Sequence, residues 1–146
     1  MSVSRTVYLR RGNMLAPKVW AQAIRAAGFP MEMDTDFDVE HLSGFLPCRY
    51  DGHQAGFECL FSTVAEMKAD DEEDEGLADI GDRDVAVSFV THSSMRGLAT
   101  AVVAAAVLCA RADGVLHDEE AGEFVPASDA LADARELLAS MADDLA

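Results

Sequence analysis

Between Leu98 and Ala110 only Thr100 is polar. The run is too short to cross a bilayer, which needs about 20 apolar residues. Apolar all round, it suits a helix buried on nearly every side, and the rest of the chain has to cover it. We expect that helix over about residues 94–112, with Gly114 suited to its C-terminal cap.

The other segments supply the cover. Thr6–Arg10 alternates as a half-buried strand does, with Val7 and Leu9 on one side and Tyr8 and Arg10 on the other. Pro17 suits a first helical position, and Val19, Trp20, Ala23, Ile24 and Ala27 recur at helical spacing up to the stop signal Gly28 and Pro30. Residues 31–40 could be extended, with alternating acids on one face. Strands are expected over 45–50 and 56–64, joined through the turn signal Asp51-Gly52, with Pro47 marking an edge strand or a late start. Residues 84–91 alternate most clearly, and a last helix is expected over about 128–144 with Ser128 as its N-cap. The order β-α-β-β-β-β-α-α predicts an α+β fold, an antiparallel-rich sheet packed against about three helices. Trp20 is expected in the core, with Phe37, Phe45, Phe57 and Phe61 sharing it apart from one or two at an interface.

Charge is segregated along the chain. The net charge is −16, with 27 acids against 11 bases, yet residues 1–31 hold no acid. The acids concentrate in Asp34-x-Asp36-x-Asp38-x-Glu40 and in the block Asp70 to Glu75. Such a chain is not expected to bind nucleic acid through its phosphates. It can attract a basic protein, and that attraction mainly speeds association. A like-charge block repels itself and stays solvated, so a mobile acidic loop is expected at about 66–82. Arg5, Arg10 and Arg11 are too sparse for a nucleic-acid arm and are expected to pair with the acidic remainder or to solvate a strand face.

At 146 residues a single domain, 1–146, with a sizeable core is expected. The three cysteines, Cys48, Cys59 and Cys109, have no framework spacing and are read as reduced and buried. Simple hairpin registers do not set Cys48 opposite Cys59. With no apolar leader in the opening residues, a cytoplasmic protein without membrane contact is expected.

Catalytic patterns are weak. As a calcium loop, Asp34-x-Asp36-x-Asp38 has Val39 where glycine is needed and Phe45 where glutamate is needed. A second candidate around Asp113-Gly114 places Cys109 and Arg111 at ligand positions. His41, His53, His92 and His117 show no metal-ligand spacing, and no phosphate loop, dinucleotide fingerprint or nucleophile elbow occurs. No metal, cofactor or catalytic residue is therefore expected. A set such as Asp36, His41 and Glu58 could serve hydrolysis only if the fold brought it together.

The stretch Gly44-Phe-Leu-Pro-Cys-Arg-Tyr-Asp-Gly-His-Gln-Ala-Gly-Phe-Glu58 resembles the G-[FY]-L-P…G…AGFE segment of small acidic immunity proteins that accompany bacterial polymorphic toxins, including type VI secretion effectors. The layout of residues 30–125 is similar as well. The resemblance implies a non-enzymatic protein that binds a cognate toxin in the cytoplasm and blocks its active site, and it carries over no catalytic residue. A toxin acting on nucleotides, NAD or nucleic acids needs a basic cleft, which carboxylates could occupy. The expected toxin-binding residues are Asp34, Asp36, Phe37, Asp38, Glu40, His41, Asp70, Asp71, Glu72 and Glu73, with Phe37 and His41 as anchors. The rival readings are a small metal-dependent hydrolase using the Asp34–His41 carboxylates and an acidic nucleic-acid mimic with many basic clients.

Overall fold

The computed structural model describes residues 3–66, 80–92, 94–119 and 122–145. Its strands are β1 (Val3–Leu9), β2 (Met31–Met33), β3 (Ser43–Tyr50), β4 (His53–Thr63), β5 (Val85–Thr91), β6 (Val115–Asp118) and β7 (Glu123–Pro126). Its helices are α1 (Pro17–Ala26), α2 (Met95–Arg111), α3 (Ala127–Ser140) and α4 (Ala142–Leu145), with short 3-10 turns at Arg11–Asn13 and Val39–His41. The fold is α+β, a seven-stranded antiparallel sheet in the order β2-β3-β4-β5-β1-β6-β7. Each neighbouring pair is antiparallel, so β1 and β2 run parallel to each other and so do β5 and β6. Those two connections need long crossovers, which α1 and α2 supply.

α2 is the centre of the core. From Ala99 to Cys109 every residue is buried, and Thr100, the polar exception, donates its hydroxyl to the Gly97 carbonyl at 2.7 Å. Two glycines let this helix lie on the sheet. A Cβ on Gly97 would stand 2.9 Å from the Gly56 carbonyl oxygen of β4, and one on Gly114 would stand 2.9 Å from the Tyr8 carbonyl oxygen of β1. Between them, the alanines at 99, 101, 104, 105 and 106 keep the helix surface low. Trp20 of α1 is fully buried and donates its indole N–H to the Ala104 carbonyl at 3.0 Å, with its ring edge-on to Phe89 at 5.9 Å.

Both ends of α2 are satisfied. Ser94 Oγ accepts the Gly97 N–H at 3.0 Å, an N-cap. At the other end Gly114 N–H reaches back to the Cys109 carbonyl at 2.9 Å. The left-handed residue there is Asp113, at φ 53°, and not Gly114, whose size is required by the Tyr8 backbone instead. Asn13 donates to the Ala112 carbonyl at 3.2 Å and Arg83 to the Asp113 carbonyl at 2.9 Å, so cationic and amide donors meet the negative end of the helix dipole.

The basic N-terminal segment pairs internally. Arg10 contacts Asp82 at 2.6 Å and Asp113 at 3.4 Å, and the Arg11 N–H donates to Asp84 at 2.8 Å. Arg5 is buried in the helix-covered layer beside Asp118 at 3.5 Å. Desolvation lowers its pKa below the usual guanidinium value, against the raising fields of Asp118 and Asp133.

Several expectations change. β1 begins at Val3 and β4 at His53. The extended reading of 31–40 holds only for Met31–Met33, because Asp34 Oδ1 accepts the Asp36 N–H at 3.2 Å and turns the chain into a loop. The hairpin β6–β7 is additional; its acids hide the alternation of Leu116 and Val125, which face each other inward. The last helix begins at Ala127 after Pro126, so Ser128 lies inside the first turn and is not the cap, and the helix breaks at Met141. Phe45 is not in the core: it is 64 % exposed. The Asp51-Gly52 turn is as expected, with both residues at positive φ.

Gly97→Ala should destabilise the protein by about 1–3 kcal/mol, since overpacking against backbone outweighs the better helix propensity of alanine. Gly12→Ala, with nothing within 4 Å of the added atom, should change stability by less than about 1 kcal/mol. Urea unfolding of the two variants checks the contrast.

Candidate protein-binding surface

The segment after β2 shows its acids to solvent because its apolar residues point in. Asp34 N–H donates to the Pro47 carbonyl at 3.1 Å, prolonging the β2–β3 ladder by one bond. Phe37 is half-buried, edge-on to Trp20 at 6.5 Å, and Val39 and Leu42 are buried. Asp34, Asp36, Asp38 and His41 are exposed. His41 Nδ1 lies 2.7 Å from Asp38 Oδ2, which closes the 3-10 turn from the side.

This segment separates two clefts. Asp34 lines one of about 780 Å³ together with Glu32, Arg25, Arg49, Gln54 and Phe45. Phe37, Asp38 and Val39 line another of about 540 Å³ with Met14, Pro17 and Phe61, the last beneath the Arg11 guanidinium at 5.8 Å. The structure thus brings Asp34, Asp36, Phe37, Asp38 and His41 onto one surface strip. Asp70, Asp71, Glu72 and Glu73, and the side chain of Glu40, lie outside the described residues, as does most of the expected acidic loop at 66–82. Phe37, an expected anchor, is half-buried against Trp20 and lines the second cleft.

Among the described residues the exposed large apolar side chains are Val19, Phe45 and Leu60. Phe45 and Leu60 both face away from the helices. In the β3–β4 register Phe45 faces Glu58 and Ser43 faces Leu60, so the two apolar residues are diagonal neighbours. The Phe45 ring occupies the space that a Cβ on Gly56 would need, and Gly56 at φ 147° also bars a side chain on conformational grounds. Strand parity could have found this pair. Leu46, Cys48 and Tyr50 face inward, which forces Phe45 outward whatever its residue type.

Glu58, on that same face, lies 3.2 Å from His92 Nε2. His41 is engaged with Asp38 instead, so the set Asp36, His41 and Glu58 is divided between separate contacts. Among the described residues no group of three or more His, Cys, Asp or Glu side chains could hold a metal ion. His117 stacks on Phe124 at 4.4 Å across β6–β7.

All three thiols are free and buried. Cys48 faces Ala55 and Cys59 faces Gly44, so the register keeps them out of bridging position. Burial pushes the Cys48 and Cys109 thiols up to about 12, and the Cys59 thiol higher still. Thiolate chemistry at neutral pH is suppressed at each. No helix among the described residues is long and apolar enough to cross a membrane. Comparison with known protein families, curated proteins and solved structures finds no match for this chain.

The thiol environments have a pH consequence. Folding raises these pKa values, so their contribution is intact below the unfolded value of about 8.5 and is lost as pH rises toward the folded values. Stability in urea should therefore be lower at pH 10 than at pH 8. A disulfide reagent at pH 8 should label the native protein far more slowly than the unfolded chain; prompt labelling would show a thiol to be open to solvent.

Proposed function

We propose that this chain is an immunity-type inhibitor, which binds a cognate, cytoplasm-acting bacterial toxin and neutralises it by covering a basic active-site cleft. The observation that carries the reading is the strip Asp34–Asp38. Its carboxylates stand in solvent on a turn fixed from below by Phe37, Val39 and Leu42, in a chain of net charge −16. Carboxylates held on a fixed turn can stand in for the phosphates that such a cleft is built to receive. The favourable field speeds encounter with a basic partner, and fixed geometry reduces the ordering cost on docking.

The resemblance of Gly44–Glu58 to the immunity-protein segment supports the same reading. Its glycines have structural work. Gly52 completes the β3–β4 turn, and Gly56 leaves room for the Phe45 ring while its carbonyl receives Gly97 of α2. The role asks for no turnover, only for a stable surface and stoichiometric binding.

Co-expression with the adjacent open reading frame tests the role: the neighbour should arrest growth and this chain should restore it, with the two proteins co-purifying at one-to-one stoichiometry. Arrest without rescue, or a harmless neighbour, overturns it. Asp34→Asn, Asp36→Asn and Asp38→Asn together keep the acceptor that turns the loop while removing its charge. This triple variant should slow association several-fold at low salt, with the difference fading by about 1 M salt, where screening falls to about 3 Å. Unchanged association kinetics would show that the strip does not face the toxin.

A further inference from the structure

We propose that the outward face of β3 and β4, centred on Phe45 and Leu60, is the docking surface for a protein partner of basic surface, with these two side chains as its apolar anchors. This rests on the inhibitor reading and places the tight part of the contact beside the acidic strip.

Three features meet here. First, two of the three large exposed apolar side chains among the described residues are neighbours on adjacent strands, while Val19 lies apart on α1. Second, Phe45 is held in place. Its ring lies over Gly56, so docking on it orders little that is not already ordered. Third, among the described residues the backbone beside it has no strand partner. β2 pairs with β3 over Cys48–Tyr50, and among the described residues the Asp34 N–H to Pro47 bond is the last backbone hydrogen bond on that side. Alternate residues of β3 turn their backbone groups toward β2, as Pro47 does, so those of Ser43 and Phe45 point past its end. Proline at 47 fits the same parity, since its missing N–H falls on this side and not in the β3–β4 ladder.

Charge selects the occupant. Around Phe45 the cleft is balanced, Glu32 and Asp34 against Arg25 and Arg49. The long-range field comes from the whole chain at −16, which repels a second copy and attracts a basic surface. The division of labour follows: acids set the on-rate, and burial of Phe45 and Leu60 sets the off-rate.

Hydrogen exchange on the full chain, alone and with the purified product of the adjacent open reading frame, tests the surface. Protection should appear in residues 43–46 and 53–60. Phe45→Ala and Leu60→Ala should each raise Kd by about tenfold or more, chiefly through faster dissociation. Leu60→Ala removes a partly exposed side chain, so its melting temperature should match the parent and exclude misfolding as the cause. Protection confined to other elements, or unchanged Kd in both variants, overturns the proposal while leaving the inhibitor role standing. Sedimentation of the chain alone as a dimer that Leu60→Ala disperses would assign the face to a second copy and overturn it too. A neighbour that neither kills nor binds removes the inhibitor reading and this surface with it.

Discussion

The close seating of α2 on the sheet is the constraint on which the other contacts depend. At Gly97 and at Gly114 the space for a single Cβ is filled by carbonyl oxygens of β4 and β1. α2 therefore touches β4 within its first turn, the turn that follows its C-terminal end touches β1, and alanines fill the interval. Dispersion contacts are individually small, but a helix this near to a sheet makes many of them. Trp20 then closes the outer side of α2 through its bond to the Ala104 carbonyl, which makes α1 the second layer of the same core.

That seating decides what solvent sees. With α1, α2 and α3 gathered in one core cluster against one face, the inward positions of β3 and β4 are Leu46, Cys48, Tyr50, Phe57 and Cys59. Every residue of opposite parity is turned outward. Phe45, Leu60 and Glu58 are exposed for this reason, and not because the chain lacks room inside. Gly56 serves both sides at once, as it meets the α2 backbone through its carbonyl and carries the Phe45 ring where a side chain would stand. The segment whose sequence resembles immunity proteins is thus also the segment where core and outer face are tied together.

Electrostatics are arranged to leave negative charge at the surface. The N-terminal arginines are consumed internally, Arg5 by Asp118 and Arg10 by Asp82 and Asp113. Arg10 also holds the Asp82 carboxyl below the usual carboxylate range by hydrogen bonding. These pairs gather β1, β6 and the C-terminal end of α2, and they withdraw basic groups from the field felt by a partner. The strip Asp34–Asp38 shows its carboxylates to solvent above the buried side chains of Val39 and Leu42. A surface built this way can be rich in acid without self-repulsion unseating the turn beneath it.

Local pattern was enough for the α+β class, the buried helix at 94–112, the stop at Gly28 and the Asp51-Gly52 hairpin, because each follows from period or turn chemistry within a few residues. It was also enough to keep Cys48 and Cys59 apart, since hairpin register is set by the turn. The placement of β1 between β5 and β6 and the burial of Arg5 needed tertiary structure, since they join residues far apart in the chain, whereas the hairpin β6–β7 is local and was hidden by its acids. Phe37 and Phe45 show the division most clearly. By residue type both suit a core or an anchor, but Trp20 captures Phe37 from a distant helix, while strand parity under α2 turns Phe45 out to solvent. Sequence determined which residues could be buried; the packing of one glycine-flanked helix against the sheet decided which of them were.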